Sequence, residues 1–216
     1  MRASDVVPLH LADVTYPEEH PLAGRTGPVL AFAVRLPDGI VLVDTGVASG
    51  NAWIEEHYRP TRREIRDALR SAALDPDAVR IVVNTHHHFD HAGGDRAFPG
   101  VPIVMQAEEW DAAWEPGSVA SEWLDFEGAR YERVRGDVLI APGVRLLFTP
   151  GHTPGHQSVT VETEDGLVLI AGQAAPDART FATGEADGSL RRLRELNADR
   201  IHLSHDRIVL RRTPKH

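Results

Sequence analysis

The chain has 216 residues, no cysteine, 12 histidines and a formal net charge of -9. A composition of 42% hydrophobic and 25% charged residues fits one soluble domain over residues 1–216, and the missing cysteines exclude disulfides and thiolate metal sites. No apolar run is long enough for a transmembrane helix or a signal peptide, and the acidic chain lacks basic runs, so we expect a cytoplasmic protein that binds neither membranes nor nucleic acid.

The first part of the chain predicts strands separated by one helix. Apolar runs over residues 28–36 and 39–44 predict adjacent strands joined by a tight turn. The pattern Thr61-Arg62-Arg63-Glu64 predicts a helix start with a capping box, and apolar residues follow at helical spacing. A β-branched run over residues 78–84 then predicts a buried strand.

The remainder of the chain predicts more strands with helices between them. Strands are expected over residues 101–105, 138–140, 144–148, 158–162, 167–171 and 201–204, and helices over residues 107–114 and 189–197. This mixture indicates an α/β protein in which helices cover two sheets, rather than one simple parallel sheet.

The segment from Thr85 to Gly94 holds four histidines and an aspartate within six positions. Imidazoles this close repel one another when protonated and are costly to bury without partners. A metal ion resolves both problems, because neutral imidazole and carboxylate groups are good ligands. In an extended loop, His86 and His88 point to one side, and His87 points away, toward residues behind the ligands or toward solvent. A tag-like histidine run would lack the interleaved aspartate and the glycines that follow.

Two further histidines follow predicted strands. His152 comes after the strand at 144–148, and His205 comes after the strand at 201–204. Three strand ends that each present histidine predict a metal site assembled at one edge of a sheet.

These motifs resemble those of the metallo-β-lactamase-fold hydrolases over residues 29–206. The marks of the resemblance are Asp44-Thr45-Gly46, the run from His86 to His91, His152 and His205. Within that superfamily the chain is most similar to the N-acyl homoserine lactonase branch. That similarity is carried by residues 88–94, 101–106 and 149–152 and by His156-Gln157-Ser158.

The resemblance implies a four-layer αββα sandwich with two metal ions at the sheet edge. By motif, His86, His88 and His152 would hold the first ion, and Asp90, His91 and His205 the second. Zinc is expected, although manganese, iron or cobalt also suit nitrogen and oxygen ligands.

Two residues near these ligands each allow two interpretations. Asp44 is either a carboxylate that orients the histidine loop or a turn former before Gly46. His156 is expected to be a structural turn residue rather than a ligand.

The resemblance also implies a mechanism on a small-molecule substrate. A metal-bound hydroxide would attack a carbonyl, and Asp90 would pass a proton to the departing alkoxide. We therefore expect a metal-dependent hydrolase that opens a lactone or a similar ester. The alternatives are hydrolysis of a β-lactam, thioester or phosphodiester, and a metal-binding or sensing protein with little turnover.

One position departs from the family pattern. Where relatives usually carry an aspartate that bridges both metals, this chain has Gln173. A neutral amide oxygen cannot replace two anionic oxygens as a bridge. Gln173 is thus either a ligand to one ion or a hydrogen-bonding residue behind the ligands. We expect either a second ion that binds weakly or a site that holds one ion. Asp177 is a candidate substitute carboxylate, and Pro176 stands where the lactonase branch tends to place a tyrosine.

Residues 115–136 form an irregular insertion that contains Trp123, Phe126 and Tyr131. Such a segment is either a lid that contacts an apolar part of the substrate or a packing loop whose aromatic side chains complete the core.

Overall fold

Two β-sheets form the centre of the computed structural model, which describes residues 1–19, 22–114 and 121–212, without the side chains of residues 121 and 122. The sheets pack face to face through one apolar cluster that includes Phe32 and Val43 from one sheet and Leu146 and Val159 from the other. Burial of such side chains is the main stabilising contribution to the fold.

The first sheet has seven described strands: β1 (Val6–Thr15), β2 (Thr26–Leu36), β3 (Gly39–Val43), β4 (Thr61–Arg62), β5 (Val79–Val83), β6 (Ile103–Gln106) and β7 (Tyr131–Val134). Their order is β4-β1-β2-β3-β5-β6-β7. The pairs from β4 to β3 are antiparallel, and those from β3 to β7 are parallel.

The second sheet has six described strands: β8 (Val138–Ala141), β9 (Val144–Phe148), β10 (Gln157–Thr163), β11 (Gly166–Ile170), β12 (Arg200–Leu203) and β13 (Asp206–Arg211). Their order is β13-β12-β11-β10-β9-β8, and only β11 and β12 pair in parallel among them.

The described helices are α1 (Ala52–His57), α2 (Ile65–Ser71), α3 (Phe89–Ala92), α4 (Ala107–Ala113), α5 (Ser121–Leu124), α6 (Ala178–Thr183) and α7 (Gly188–Glu195). Helix α2 packs on the outer face of the first sheet, and α6 and α7 pack on the second. The layers are therefore helix, sheet, sheet and helix, and the predicted αββα sandwich is confirmed. No helix in the described ranges is long and apolar enough to cross a membrane.

The predicted capping box at Thr61 is wrong. Thr61 and Arg62 pair with β1, and α2 begins only at Ile65, after Glu64, whose side chain makes no capping hydrogen bond. Pairing with a neighbouring strand overrides the local helix signal here.

The strand β1 has no counterpart among the predicted elements. Pro8, His10 and Asp13 interrupt its apolar pattern, and its register shifts between His10 and Ala12. A strand with such an irregularity does not keep the simple alternation of apolar and polar residues that a sequence pattern can detect.

The insertion at 115–136 is only partly described, because residues 115–120 lie outside the described ranges. Trp123 is buried in an apolar cluster with Ile54 and Val29. Phe126 and Tyr131 pack against the outer core of the first sheet. The described aromatic side chains therefore favour the packing-loop interpretation.

Candidate metal centre

The site lies where strand ends from both sheets meet. The loops that follow β3 and β5 in the first sheet, and β9, β11 and β12 in the second, carry the predicted site residues. Ligand atoms of His86, His88 and His152 lie within 4.8 Å of one another, and so do those of Asp90, His91 and His205. We refer to these two groups of three residues as the first cluster and the second cluster.

The second cluster is buried, and its imidazoles are fixed from behind. Nδ1 of His91 donates to Oδ2 of Asp44 at 2.8 Å, and Nδ1 of His205 donates to the carbonyl oxygen of Pro28 at 2.9 Å. The two Nε2 atoms then face each other at 3.2 Å. The Asp90 carboxylate lies 3.4 Å from Nε2 of His205, so ligand atoms from all three residues converge.

The first cluster combines one buried imidazole with two exposed ones. The hydroxyl of Thr85 donates to Asp44 at 2.9 Å, so Nδ1 of His86, 3.1 Å away, donates to that hydroxyl. Nε2 of His86 is then buried with no hydrogen-bond partner among the described residues. His88 and His152 are exposed, with Nδ1 of His88 and Nε2 of His152 3.0 Å apart.

A count of protons shows that both clusters suit a cation. A neutral imidazole carries one N–H, and in His86, His91 and His205 that proton lies on Nδ1. In the neutral form, their Nε2 lone pairs therefore face one another, the oxygens of Asp90 and Gln173, or no partner among the described residues. That arrangement is unfavourable in a buried place unless a cation lies between them. Imidazole nitrogen and carboxylate oxygen are ligands for zinc and similar divalent ions.

Charge is distributed unequally between the two clusters. Burial and the neighbouring imidazoles hold the pKa of His86 well below its ordinary value. Burial alone would lower the pKa of His91, but Asp90 and Asp44 raise it. Burial alone would raise the pKa of Asp90, but the surrounding histidines lower it, so this carboxylate is ionised at neutral pH.

Asp44 takes both of the roles considered for it. Its φ of 63° forms the turn after β3, a conformation that Asp tolerates better than most residues. Its carboxylate also accepts hydrogen bonds from the Thr85 backbone N–H at 2.7 Å and from His91. Thr85 thus links Asp44 to His86, a role that the sequence did not reveal.

Gln173 borders the second cluster. Its Oε1 lies 3.2 Å from Nε2 of His205, and its side chain also contacts His91. Its backbone N–H donates to Nε2 of His156 at 3.1 Å, while Nδ1 of His156 donates to the Thr149 carbonyl at 3.0 Å. Burial lowers the pKa of His156 to about 4. This neutral histidine is therefore a structural residue that holds the Gln173 loop.

For His87 and Asp177, the structure contradicts one of the interpretations made from the sequence. His87 is buried rather than facing solvent, and its Nε2 donates to Oδ1 of Asn84 at 3.3 Å, which fits its other interpretation as a residue behind the ligands. Asp177, the candidate substitute carboxylate, instead caps α6 by accepting from the Thr180 backbone N–H at 2.7 Å.

Glu109 connects the two loops that carry the first cluster. One carboxylate oxygen accepts from the backbone N–H of His87 at 2.7 Å. The other accepts from the Thr153 hydroxyl at 2.6 Å and from the Gly155 N–H at 3.0 Å. A Cβ at residue 155 would lie 2.1 Å from the Glu109 nitrogen, so this approach requires glycine. Sequence reasoning missed Glu109, and the only available signal is a glutamate on the buried face of α4.

A buried polar group, also missed, lies behind the second cluster. Oδ1 of Asp95 accepts from the Thr45 hydroxyl at 2.7 Å and from the Asn84 amide at 3.1 Å. Thr45 connects this group to the second cluster, because its backbone N–H donates to the His91 carbonyl at 2.7 Å. Burial raises the pKa of Asp95 to about 7.

Known proteins resemble this chain in sequence. Residues 24–205 match the model of the metallo-beta-lactamase superfamily. The N-acyl homoserine lactonase AiiA of Bacillus thuringiensis subsp. kurstaki is 34% identical over 167 residues, which cover 71% of this chain and 66% of that protein. The matched segment is thus just under two thirds of the relative's length.

Solved structures resemble the chain over almost its whole length. A quorum-quenching N-acyl homoserine lactone hydrolase gives a TM-score of 0.79 at 28% identity, covering 94% of this chain and 92% of that one. An N-acyl homoserine lactone hydrolase with N-hexanoyl-L-homoserine bound at its catalytic metal center gives a TM-score of 0.76 at 27% identity, with coverage of 94% and 92%.

Proposed function

This chain belongs to the metallo-beta-lactamase superfamily, as its motifs predict, and we propose that it is a metal-dependent hydrolase that opens acyl lactones. The observation that carries the proposal is the convergence of imidazole nitrogens, with one carboxylate oxygen, in two three-residue clusters whose ligand atoms lie within 4.8 Å of one another. The names of the relatives support a lactone over a β-lactam, thioester or phosphodiester substrate.

Each cluster would hold one divalent ion. His86, His88 and His152 would be the ligands in the first cluster, and Asp90, His91 and His205, with Gln173 beside them, those in the second. When bound, such ions polarise a carbonyl and lower the pKa of water toward neutrality. Zinc is our first choice because nitrogen and carboxylate ligands suit it, and manganese, iron and cobalt accept the same set.

Asp90 is the residue placed to move the proton. Its carboxylate is ionised before the reaction, because the surrounding histidines lower its pKa. It can therefore accept the proton released when water attacks the carbonyl and return that proton to the departing alkoxide. Asp44 and Pro28 meanwhile hold His91 and His205 in fixed tautomers.

The test is a hydrolysis screen of chelator-treated protein reloaded with zinc or manganese. N-hexanoyl homoserine lactone, an aryl ester, a β-lactam and a phosphodiester are the substrates. We expect metal-dependent lactone opening that is lost in Asp90→Asn and retained in Asp111→Asn, a matched change on the exposed side of α4. Metal binding without hydrolysis of any substrate would instead support the metal-binding or sensing alternative.

Gln173→Asp tests the unusual residue directly. A carboxylate at this position, next to His205 and His91, should offset cation charge, so we expect metal affinity to rise by about tenfold and lactone turnover to increase. The measurement is metal titration together with steady-state kinetics. Loss of activity in this variant would mean that the site uses the Gln173 amide itself and does not gain from a carboxylate at this position.

A further inference from the structure

A cavity of about 330 Å³ opens beside the second cluster. His205 lies in its wall, as does Pro28, whose carbonyl fixes His205. The phenol of Tyr16 forms part of the same wall, and its pKa is raised to about 12, by burial first and then by Asp90. The cavity therefore shares His205 with the second cluster.

Two arginines, Arg25 and Arg179, line this cavity. Both residues are exposed. Neither guanidinium has a hydrogen-bond or ion-pair partner among the described residues, in contrast to Arg207 and Arg192, which pair with aspartates. An arginine guanidinium offers a planar set of donors that matches a carboxylate.

The two carboxylates of the cavity wall are already used for structural hydrogen bonds. Asp177 caps α6 through Thr180. Asp206 accepts from the backbone N–H of Ala178 at 2.8 Å and from that of Ile208 at 2.9 Å. The pKa of Asp177 is lowered by these Thr180 hydrogen bonds first, and then by the charges of Arg179 and Arg25.

The geometry points to an acyl lactone whose acyl chain ends in a carboxylate. This inference rests on the proposed function: the lactone carbonyl would lie at the clusters, the chain would pass the apolar walls of Pro28 and Pro176, and the carboxylate would bind Arg25 and Arg179. Two arginines and two aspartates leave the lining with no net formal charge, so it offers no excess positive charge to a phosphate dianion. The two guanidinium groups instead offer donors that match one carboxylate.

The test compares two lactones that differ only in the end of the acyl chain. We expect a KM about tenfold lower for N-(5-carboxypentanoyl) homoserine lactone than for N-hexanoyl homoserine lactone, the scale of one charge-assisted pair. The double variant Arg25→Gln and Arg179→Gln should remove this difference by raising the KM for the carboxylated lactone toward that for the neutral one. Arg191→Gln on α7, where the guanidinium bonds the Ala186 carbonyl instead, is the matched control.

A binding measurement separates this inference from the proposed function. The dissociation constants of the two ring-opened products are measured calorimetrically on metal-loaded protein, because both products carry the same homoserine carboxylate. Tighter binding of the product with the second carboxylate, lost in the double variant, supports the inference even if no lactone is hydrolysed. Equal binding and equal KM for the two compounds would overturn it, while lactone opening itself would stand.

Discussion

The two clusters use similar ligand atoms, but the protein supports them very differently. In the second cluster each imidazole is fixed by an oxygen acceptor at Nδ1, and the carboxylates of Asp90 and Asp44 lie next to the rings. In the first cluster His88 and His152 are exposed, and His86 is held through the Thr85 hydroxyl.

This difference changes which ion should bind weakly. The sequence predicts a weak second ion, because Gln173 removes the charge of a bridging carboxylate. The structure places Asp90 and Asp44 at the second cluster, whereas the ligands of the first cluster are all neutral imidazoles. We therefore expect the second cluster to bind its ion more tightly, since negative charge and fixed ligand orientation both favour a cation.

The largest expected effect comes from Asp44→Asn. Asparagine keeps the shape of the side chain and tolerates the φ of 63°. It removes the negative charge, however, and leaves one oxygen acceptor fewer for the hydrogen bonds that Thr85 and His91 donate. We expect the affinity of the second cluster to fall by about 10–100-fold, and the free energy of unfolding to fall by about 2–4 kcal/mol. Metal titration and urea unfolding provide the measurements. Equal weakening of both clusters would remove the distinction between them.

A smaller effect, on the opposite cluster, is expected from Glu109→Gln. The amide keeps one acceptor but loses part of the connection between the His87 and Gly155 loops. We expect the affinity of the first cluster to fall by about tenfold, with little change in the second. Glu108→Gln is the control, since that neighbouring side chain pairs with Arg135 away from the clusters. A larger loss at the second cluster would show that the two sites are not supported separately.

The smallest effect on metal binding is expected from Asp95→Asn. This change should alter the free energy of unfolding and leave the metal affinity of both clusters unchanged. Burial raises the pKa of Asp95 to about 7 in the folded state, above its unfolded value of about 4. The folded state therefore holds this proton more tightly, and the stabilisation is full below the unfolded pKa and is lost as pH rises toward the folded pKa.

The asparagine at position 95 still accepts hydrogen bonds but does not titrate in this range. Between about pH 5 and pH 8, the unfolding free energy of the unmodified protein should therefore fall by about 2 kcal/mol more than that of the variant. Urea unfolding at several pH values measures this difference. Parallel pH profiles for the two proteins would show that Asp95 is ionised throughout.

The residues of both clusters could be singled out from the sequence because their placement follows local rules. The ligands from His86 to His91 lie within one loop, and Asp44, His152 and His205 each follow a strand whose apolar pattern is clear. Strand ends that meet at one sheet edge bring such residues together without any knowledge of the packing.

The supporting contacts are not predictable in the same way. Pro28 holds His205 through a backbone carbonyl, which leaves no mark in the sequence. Glu109 and Gly155 meet across 46 positions of the chain, and the strand at Thr61 depends on pairing with β1 rather than on its own residues. These features depend on long-range contacts, which local propensity does not encode.

The most direct test of the account is a titration of chelator-treated protein with Co²⁺, followed by visible absorbance. We predict two saturable steps per chain, of which the tighter one is weakened by about 10–100-fold in Asp44→Asn and the weaker one is lost in His152→Ala. Binding of no ion, or a single step that Asp44→Asn leaves unchanged, would contradict the assignment of one ion to each cluster.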